Sequence, residues 1–328
     1  MAKPHEFPML PAEGAAPPVA PAPIAPPQLK RSGPDPRQTL SYLRNLLQNY
    51  GIEPKNKLGQ NFLIDLNLID LVVRAAELSL ADSVLEVGTG TGSLTSKLAD
   101  SAGAVCTCEI DREFYKLAQN VIGKRPNVFA FLGDALERKN ELNPDLLDAW
   151  AEISKKFGTT KRKLIANLPY AVATPIISNL LLIPDFPIDR MVVMVQWEIG
   201  ERLRAEVGTK DYNSLSVLVQ SVADVEIIRK VAPTNFFPKP KVDSAIVQIV
   251  PNPEKRKLVG DVAKFRTFLR DLYCHRRKNL RQALTGWPSG RRDKVVVDAK
   301  LAELGINGSL RSEALSVHDH LRLANAFE

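Results

Sequence analysis

The run Val84-Leu85-Glu86-Val87-Gly88-Thr89-Gly90-Thr91-Gly92 constrains the fold of this chain more than any other stretch. Its apolar half predicts a strand buried on both faces. The three glycines at spacing two predict a turn with unusual φ values, where backbone can approach a ligand closely before the next helix begins. A strand covered on both faces belongs in a largely parallel sheet flanked by helices. The surrounding segments agree with that class. Strands are predicted at 83–87, 104–110, 128–132, 163–166 and 190–196, with a closing pair at 222–231 and 244–250. Between them fall helical patterns at 66–78, 94–100, 112–122, 145–156, 174–182, 198–205 and 215–221. The expectation is a doubly wound α/β sheet.

Residues 1–36 are rich in Pro and Ala and lack periodicity, which predicts a disordered tail. A short amphipathic helix follows at 39–50, with Leu40, Leu43, Leu46 and Leu47 on one face. The α/β domain is expected to span 37–252 and a small helical domain 253–328, with helices near 262–273, 276–285 and 318–326. The N-terminus shows no basic region followed by an apolar one, and no apolar run approaches the ~20 residues of a membrane span. Three cysteines without a C-x-x-C pair argue for reduced thiols in a cytosolic protein. Cys106 and Cys108 read as packing residues on a strand. The four histidines offer only His318-x-His320, a poor ligand set, so no metal is expected. The net charge of +7 is unevenly distributed: residues 229–292 hold 16 Lys/Arg against 4 Asp/Glu, leaving the remainder mildly acidic. That asymmetry favours a polyanion, nucleic acid first, contacted by the C-terminal third.

The chemistry-bearing residues fall at successive strand ends. The glycine loop alone suits dinucleotide, flavin and methyl-donor sites, although it lacks the last interval of G-x-G-x-x-G. About twenty residues on, Glu109 closes the second strand, where a carboxylate can take both hydroxyls of a ribose. Asp111 suits a helix cap better. Asp134 follows the third strand and can meet an adenine amino group. On the fourth, Asn167-Leu168-Pro169-Tyr170 supplies the parts for gripping an exocyclic amine on a flat base. Asn167 has a side-chain carbonyl, Pro169 can present a carbonyl without a competing N–H, and Tyr170 offers a stacking face.

In this order, E-V-G-T-G-T-G, C-E-I-D, G-D-A and N-L-P-Y resemble a Rossmann-like S-adenosylmethionine-dependent methyltransferase of the adenine-N6 type. Three runs narrow the likeness: Lys57-Leu58-Gly59-Gln60-Asn61-Phe62-Leu63, Phe236-Phe237-Pro238-Lys239-Pro240-Lys241-Val242-Asp243-Ser244-Ala245 and Arg276-Arg277-Lys278-Asn279-Leu280-Arg281. With Leu310-Arg311-Ser312-Glu313-Ala314-Leu315-Ser316, they resemble the small-subunit ribosomal RNA adenine dimethyltransferase family. The resemblance implies dimethylation of two adjacent adenosines in the 3′-terminal hairpin loop of small-subunit (16S) rRNA. The chain would act as a monomer on an assembling 30S particle in the cytoplasm, with S-adenosyl-L-methionine as donor and no metal. Carried onto this chain, it places donor contacts on Asn61, Leu63, Gly88, Glu109, Asp134 and Asn167. Asn167, Pro169, Tyr170 and Phe236 would hold the target base, with Phe237 more suited to a core. Arg276, Arg277, Lys278 and Arg281, at helical spacing, would contact RNA phosphates. Thr89 stands where proline is commoner, and the glycines should tolerate it. Asn213 replaces a glycine, which its tolerance of positive φ should allow. The 135–162 connection is longer than is typical. A large-subunit rRNA dimethyltransferase, a binding factor that has lost catalysis and a small-molecule methyltransferase are the rival readings.

Overall fold

The computed structural model describes residues 40–55, 58–139, 141–183, 186–288 and 290–327; the predicted disordered tail and Lys57 lie outside them. Seven strands form the main sheet: β1 (Asp82–Val87), β2 (Ala104–Glu109), β3 (Val128–Leu132), β4 (Lys161–Asn167), β5 (Arg190–Gln196), β6 (Ala223–Val231) and β7 (Ser244–Pro251). Their order is β3-β2-β1-β4-β5-β7-β6. The first five pair in parallel, and β7 runs antiparallel to both of its neighbours. The chain reverses direction of travel across the sheet between β1 and β4. In an open α/β sheet that switch point, outside the carboxyl ends of the strands, is where ligands bind.

Alternation along the pleat sends successive side chains to opposite faces, and both faces are buried. On β5, Met191, Val193 and Val195 join one apolar cluster while Val192 and Met194 join the other. On β4, Leu164 and Ala166 oppose Ile165 in the same way. Cys106 and Cys108 pack fully buried in the first cluster, as the sequence suggested, and burial pushes both thiols up. Helices α2 (Leu66–Ala75) and α3 (Ser93–Ala99) cover the second face. α5 (Pro144–Lys156), α6 (Ala173–Leu182) and α8 (Ser214–Gln220) cover the first. A third, smaller cluster joins α1 (Leu40–Tyr50) to α4 (Arg112–Ile122) through Leu43, Leu47, Phe62, Phe114 and Leu117. α7 (Trp197–Arg204) follows β5. α9 (Pro253–Val259), α10 (Val262–Tyr273), α11 (Leu280–Thr285), α12 (Lys294–Glu303) and α13 (Val317–Phe327) complete the C-terminal part. Phe265, Leu269, Leu280 and Leu323 of that part belong to the same cluster as the first sheet face.

Two local expectations need correction, and one helix was not expected. The helix expected at 276–285 starts only at Leu280, because the Asn279 side chain caps it by accepting the Gln282 N–H at 2.9 Å. Arg276, Arg277 and Lys278 therefore lie in the preceding turn and not on a helical face. Asn213 replaces glycine for a different reason from the one expected. Its φ is −152°, and it caps α8 in a reciprocal box with Ser216. α12 was not among the expected helices, and its three consecutive β-branched valines weaken the helical signal there. Asp293 nonetheless starts a helix there by accepting the Val295 and Val296 N–H groups, and Val295 remains exposed.

Lys163 is buried at the start of the parallel core. Its ammonium lies 3.0 Å from Asp82 Oδ1 and donates to the carbonyls of Ala76 (3.0 Å) and Glu77 (2.7 Å). One cation thus ties β1 and β4 to the end of α2. Lys163→Met, which strands the Asp82 carboxylate in the core, is expected to cost about 3–5 kcal/mol in urea unfolding. Adding Asp82→Asn should recover much of that loss, and a double variant no more stable than Lys163→Met would show that the pair is not coupled.

Candidate active site

A cavity of about 280 Å³ opens at the switch point. Asn61, Leu63, Gly88, Glu109, Asp134, Asn167 and Pro169 all line it, so residues spread over more than a hundred positions meet at one sheet edge. The glycine loop makes room. Gly88 has φ +88°, and a Cβ there would reach 3.4 Å from the Pro169 ring. Gly90 has φ +55°, and a Cβ there would lie 2.9 Å from the Phe62 ring. Glu109 ends β2 almost fully buried, with Oε2 accepting the Gly90 N–H at 2.9 Å and Oε1 the Asp111 N–H at 3.0 Å. Burial raises its pKa against the pull of those amides. Each oxygen keeps a second lone pair for an incoming hydroxyl. Asp134 holds its loop by accepting the Leu136 N–H through Oδ1 at 2.9 Å, and Oδ2 is not used in that turn. Asp111 caps α4, as expected.

Asn167 sits at the end of β4, beside the loop. Its Nδ2 donates to the main-chain carbonyl of Asn61 at 2.8 Å. Only the nitrogen can donate, so the bond fixes Oδ1 as the acceptor left for a ligand. The carbonyl of Pro169, expected as a second acceptor, already takes the Val172 N–H at 3.1 Å in the turn into α6. The Leu168 carbonyl accepts no hydrogen bond among the described residues. Tyr170 lies outside the cavity wall, with its hydroxyl 2.9 Å from Ser244 Oγ. Phe236 pairs with Leu63 in a two-residue antiparallel ladder that also joins Phe62 to Phe237. Phe237, expected as a core ring, is partly buried against the third apolar cluster, and Phe236, expected against the target base, lies deeper. Phe236 is 3% exposed among Leu63, Ile69 and Met194 in the second apolar cluster, behind the cavity wall. Phe237 is the more exposed ring, with the Arg44 guanidinium 5.4 Å above it.

A model of the ribosomal RNA adenine dimethylase family matches residues 52–328. The chain belongs to the ribosomal RNA adenine dimethylase family. It is 37% identical over 284 residues to ribosomal RNA small subunit methyltransferase A of Geobacillus kaustophilus (strain HTA426), covering 86% of this chain and 94% of that protein. It is 38% identical over 287 residues to the same-named protein of Pediococcus pentosaceus, covering 87% and 93%. Among solved structures, a dimethyladenosine transferase from Plasmodium falciparum superposes with a TM-score of 0.65 at 26% identity, covering 80% of this chain and 95% of that one. The 23S rRNA methyltransferase ErmE shares the fold at a TM-score of 0.59 and 24% identity, covering 81% and 99%.

As an rRNA adenine dimethyltransferase, the chain carries parts of the site that sequence reasoning passed over. Glu86 lies beneath the glycine loop, buried, and accepts from Thr95 Oγ1 (2.5 Å) and Thr107 Oγ1 (2.7 Å). Thr107 spends its proton on Glu86, so the hydroxyl of Thr89, 2.6 Å away, donates to Thr107. The unusual Thr89 thus closes a buried chain of hydroxyls under the loop. The segment 58–63 forms the front of the cavity. Gln60 Nε2 anchors it to Asp111 at 3.1 Å, and the Lys55 ammonium bridges Asp111 (2.9 Å) and Glu113 (2.8 Å). A carboxylate inside an apolar strand was the available signal for Glu86. Nothing local signalled the Lys55 and Gln60 anchors.

Of the four expected phosphate contacts, two are occupied. Arg281 is paired with Asp298 through two hydrogen bonds (2.6 and 2.5 Å), and Arg276 donates to the Lys210 carbonyl at 3.0 Å. Arg277 and Lys278 are exposed and have no ion-pair partner among the described residues.

Burial pushes the Glu86 pKa from about 4.5 to about 8, against the two threonine hydrogen bonds. Between those values the folded chain keeps a proton that the unfolded chain has released. Stability contributed by Glu86 is therefore complete below about pH 4.5 and lost as pH rises through about 8. Glu86→Gln retains an acceptor without the titration. The wild-type Tm should fall relative to the variant's from pH 5 to 8; a constant difference would assign the titration elsewhere.

Proposed function

We propose that the protein transfers methyl groups from S-adenosylmethionine to N6 of two adjacent adenosines in the 3′-terminal hairpin of small-subunit rRNA, acting as a monomer on an assembling small subunit. The observation that carries this reading is the Asn167 amide. The Asn61 carbonyl takes its N–H, which leaves Oδ1 as the remaining acceptor on a residue that lines the cavity, next to the glycine loop and on the fourth strand. The names of the relatives support the choice of small-subunit rRNA. The donor's nucleoside fits the residues present: glycines that leave room for it, Glu109 for ribose hydroxyls and Asp134 for an adenine amine. When bound, the donor supplies a methyl group on a sulfonium that leaves readily.

The protein's share of the work is then positioning. Asn167 Oδ1 accepts one amino hydrogen of the target adenine. The second is taken by a main-chain carbonyl of the same turn: that of Pro169, which lines the cavity and keeps a lone pair beside its bond from Val172, or that of Leu168 just before it. Two acceptors on one amine draw its lone pair toward the donor, and alignment of this kind is worth several kcal/mol. Tyr170, tethered by Ser244, supplies the stacking face that offsets the cost of unstacking the base. No His or Cys is required as a base, since the amine proton becomes acidic only after alkylation. Basic residues of the C-terminal part hold the RNA backbone, Arg277 and Lys278 foremost.

Asn167→Ala is expected to lower kcat by about 10²–10³. The measurement is methyl transfer to unmodified small ribosomal subunits, followed by nucleoside analysis for N6,N6-dimethyladenosine. Label recovered in large-subunit RNA instead would refute the substrate, and wild-type kcat in the variant would refute the role of Asn167. Arg277→Glu with Lys278→Glu is expected to weaken binding of small subunits about tenfold and to flatten its salt dependence, with donor affinity unchanged. Unaltered affinity for the particles would remove both residues from the RNA surface.

A further inference from the structure

Trp197 stands apart from the other two tryptophans. Trp150 is fully buried and Trp287 is nearly so, whereas Trp197 is partly exposed as the first residue after β5. Its position is tied to the base-holding side of the site. The Tyr170 hydroxyl is bonded to Ser244 Oγ, Ser244 is the register partner of Gln196, and the Trp197 N–H donates to the Asp243 carbonyl at 2.9 Å. Tyr170 and Trp197 therefore flank the same pair of residues at the carboxyl edge of the sheet. The Trp197 side chain packs against the first apolar cluster. The Lys230 ammonium lies 4.8 Å from its ring centroid and 2.9 Å from Asp243 Oδ2. The adjoining loop carries Lys239 and Lys241, both exposed and without ion-pair partners among the described residues.

A half-buried indole on the same sheet edge as Tyr170, with one lysine over its ring and two more exposed on the loop between β6 and β7, has the chemistry of a single-stranded nucleic-acid platform: a π-face for a base and cations for phosphates. We propose that Trp197 stacks the nucleotide next to the target adenosine, while Lys230 moves from the ring to that nucleotide's phosphate. This deepens the functional reading above and rests on it. A substrate with two adjacent adenosines always presents a neighbouring purine, and purines have the larger face to stack. Both contacts that hold Lys230, the cation–π contact and the ion pair with Asp243, are solvent-exposed and weak enough to be exchanged for a phosphate. Trp197 is on this account a positioning residue that fixes the register of the RNA relative to Asn167.

The test uses the full chain with Trp197→Phe, which keeps an aromatic face, and Trp197→Leu, which keeps the packing and removes the face. A single-stranded RNA of about ten nucleotides with two adjacent adenosines should quench wild-type tryptophan fluorescence, because the other two indoles are shielded. In methyl transfer to small subunits, Trp197→Leu should raise KM for RNA about tenfold with kcat nearly kept, and Trp197→Phe should restore most of the affinity. Unquenched wild-type fluorescence, or a wild-type KM in Trp197→Leu, would overturn the proposal. So would a Phe variant as impaired as the Leu variant in KM. Failure of the functional reading shows differently, as absence of methyl transfer to small-subunit RNA in all three proteins alike.

Discussion

The hydrogen bond from Asn167 Nδ2 to the Asn61 carbonyl is the contact on which the site depends. It joins the end of β4 to a segment more than a hundred residues earlier and decides which end of an amide faces a ligand. Everything around it serves to keep that bond in place. The parallel core holds β4 against β1, and the Leu63–Phe236 ladder pins the front segment to the far edge of the site. Lys55 and Gln60 secure the same segment to the cap of α4. A rotated Asn167 would present donors to an amine that itself only donates.

Charge is distributed on the same plan. The acids are sunk at the sheet edge, where Glu109 is oriented by two backbone amides and Glu86 is held by threonine hydroxyls. In such surroundings a carboxyl group is a fixed hydrogen-bonding element as much as a charge. The cations stand outside, at the Trp197 rim and in the turn before α11. On the function proposed above, this division draws a polyanionic substrate to the rim and offers the buried acids to a ribose-bearing cofactor.

Much of this was legible before any coordinates. The parallel sheet followed from β-branched apolar runs, because a strand covered on both faces cannot afford polar alternation. The meeting of Gly88, Glu109, Asp134 and Asn167 at one sheet edge followed from where those runs end. Errors gathered where a short-range rule had a competitor. Asn279 starts a helix that the sequence pattern extended back over the preceding arginines, and three consecutive valines hid α12. Phe236 and Phe237 are neighbours on a two-residue strand, so their burial turned on register alone: one residue of slip exchanges the buried ring for the half-buried one.

The sequence by itself determined the fold class, the order of chemical groups along the sheet edge and the preference for a polyanion. These depend on residue type and local period, which are properties of short stretches. Tertiary structure alone decided which end of the Asn167 amide stays available, that Arg276 and Arg281 already have partners within the protein, and that Trp197 shares an edge with Tyr170. Each of these is a matter of hydrogen-bond or ion-pair competition between groups distant in the chain. Such competition is settled by distance in space, and spacing along the sequence carries no measure of it.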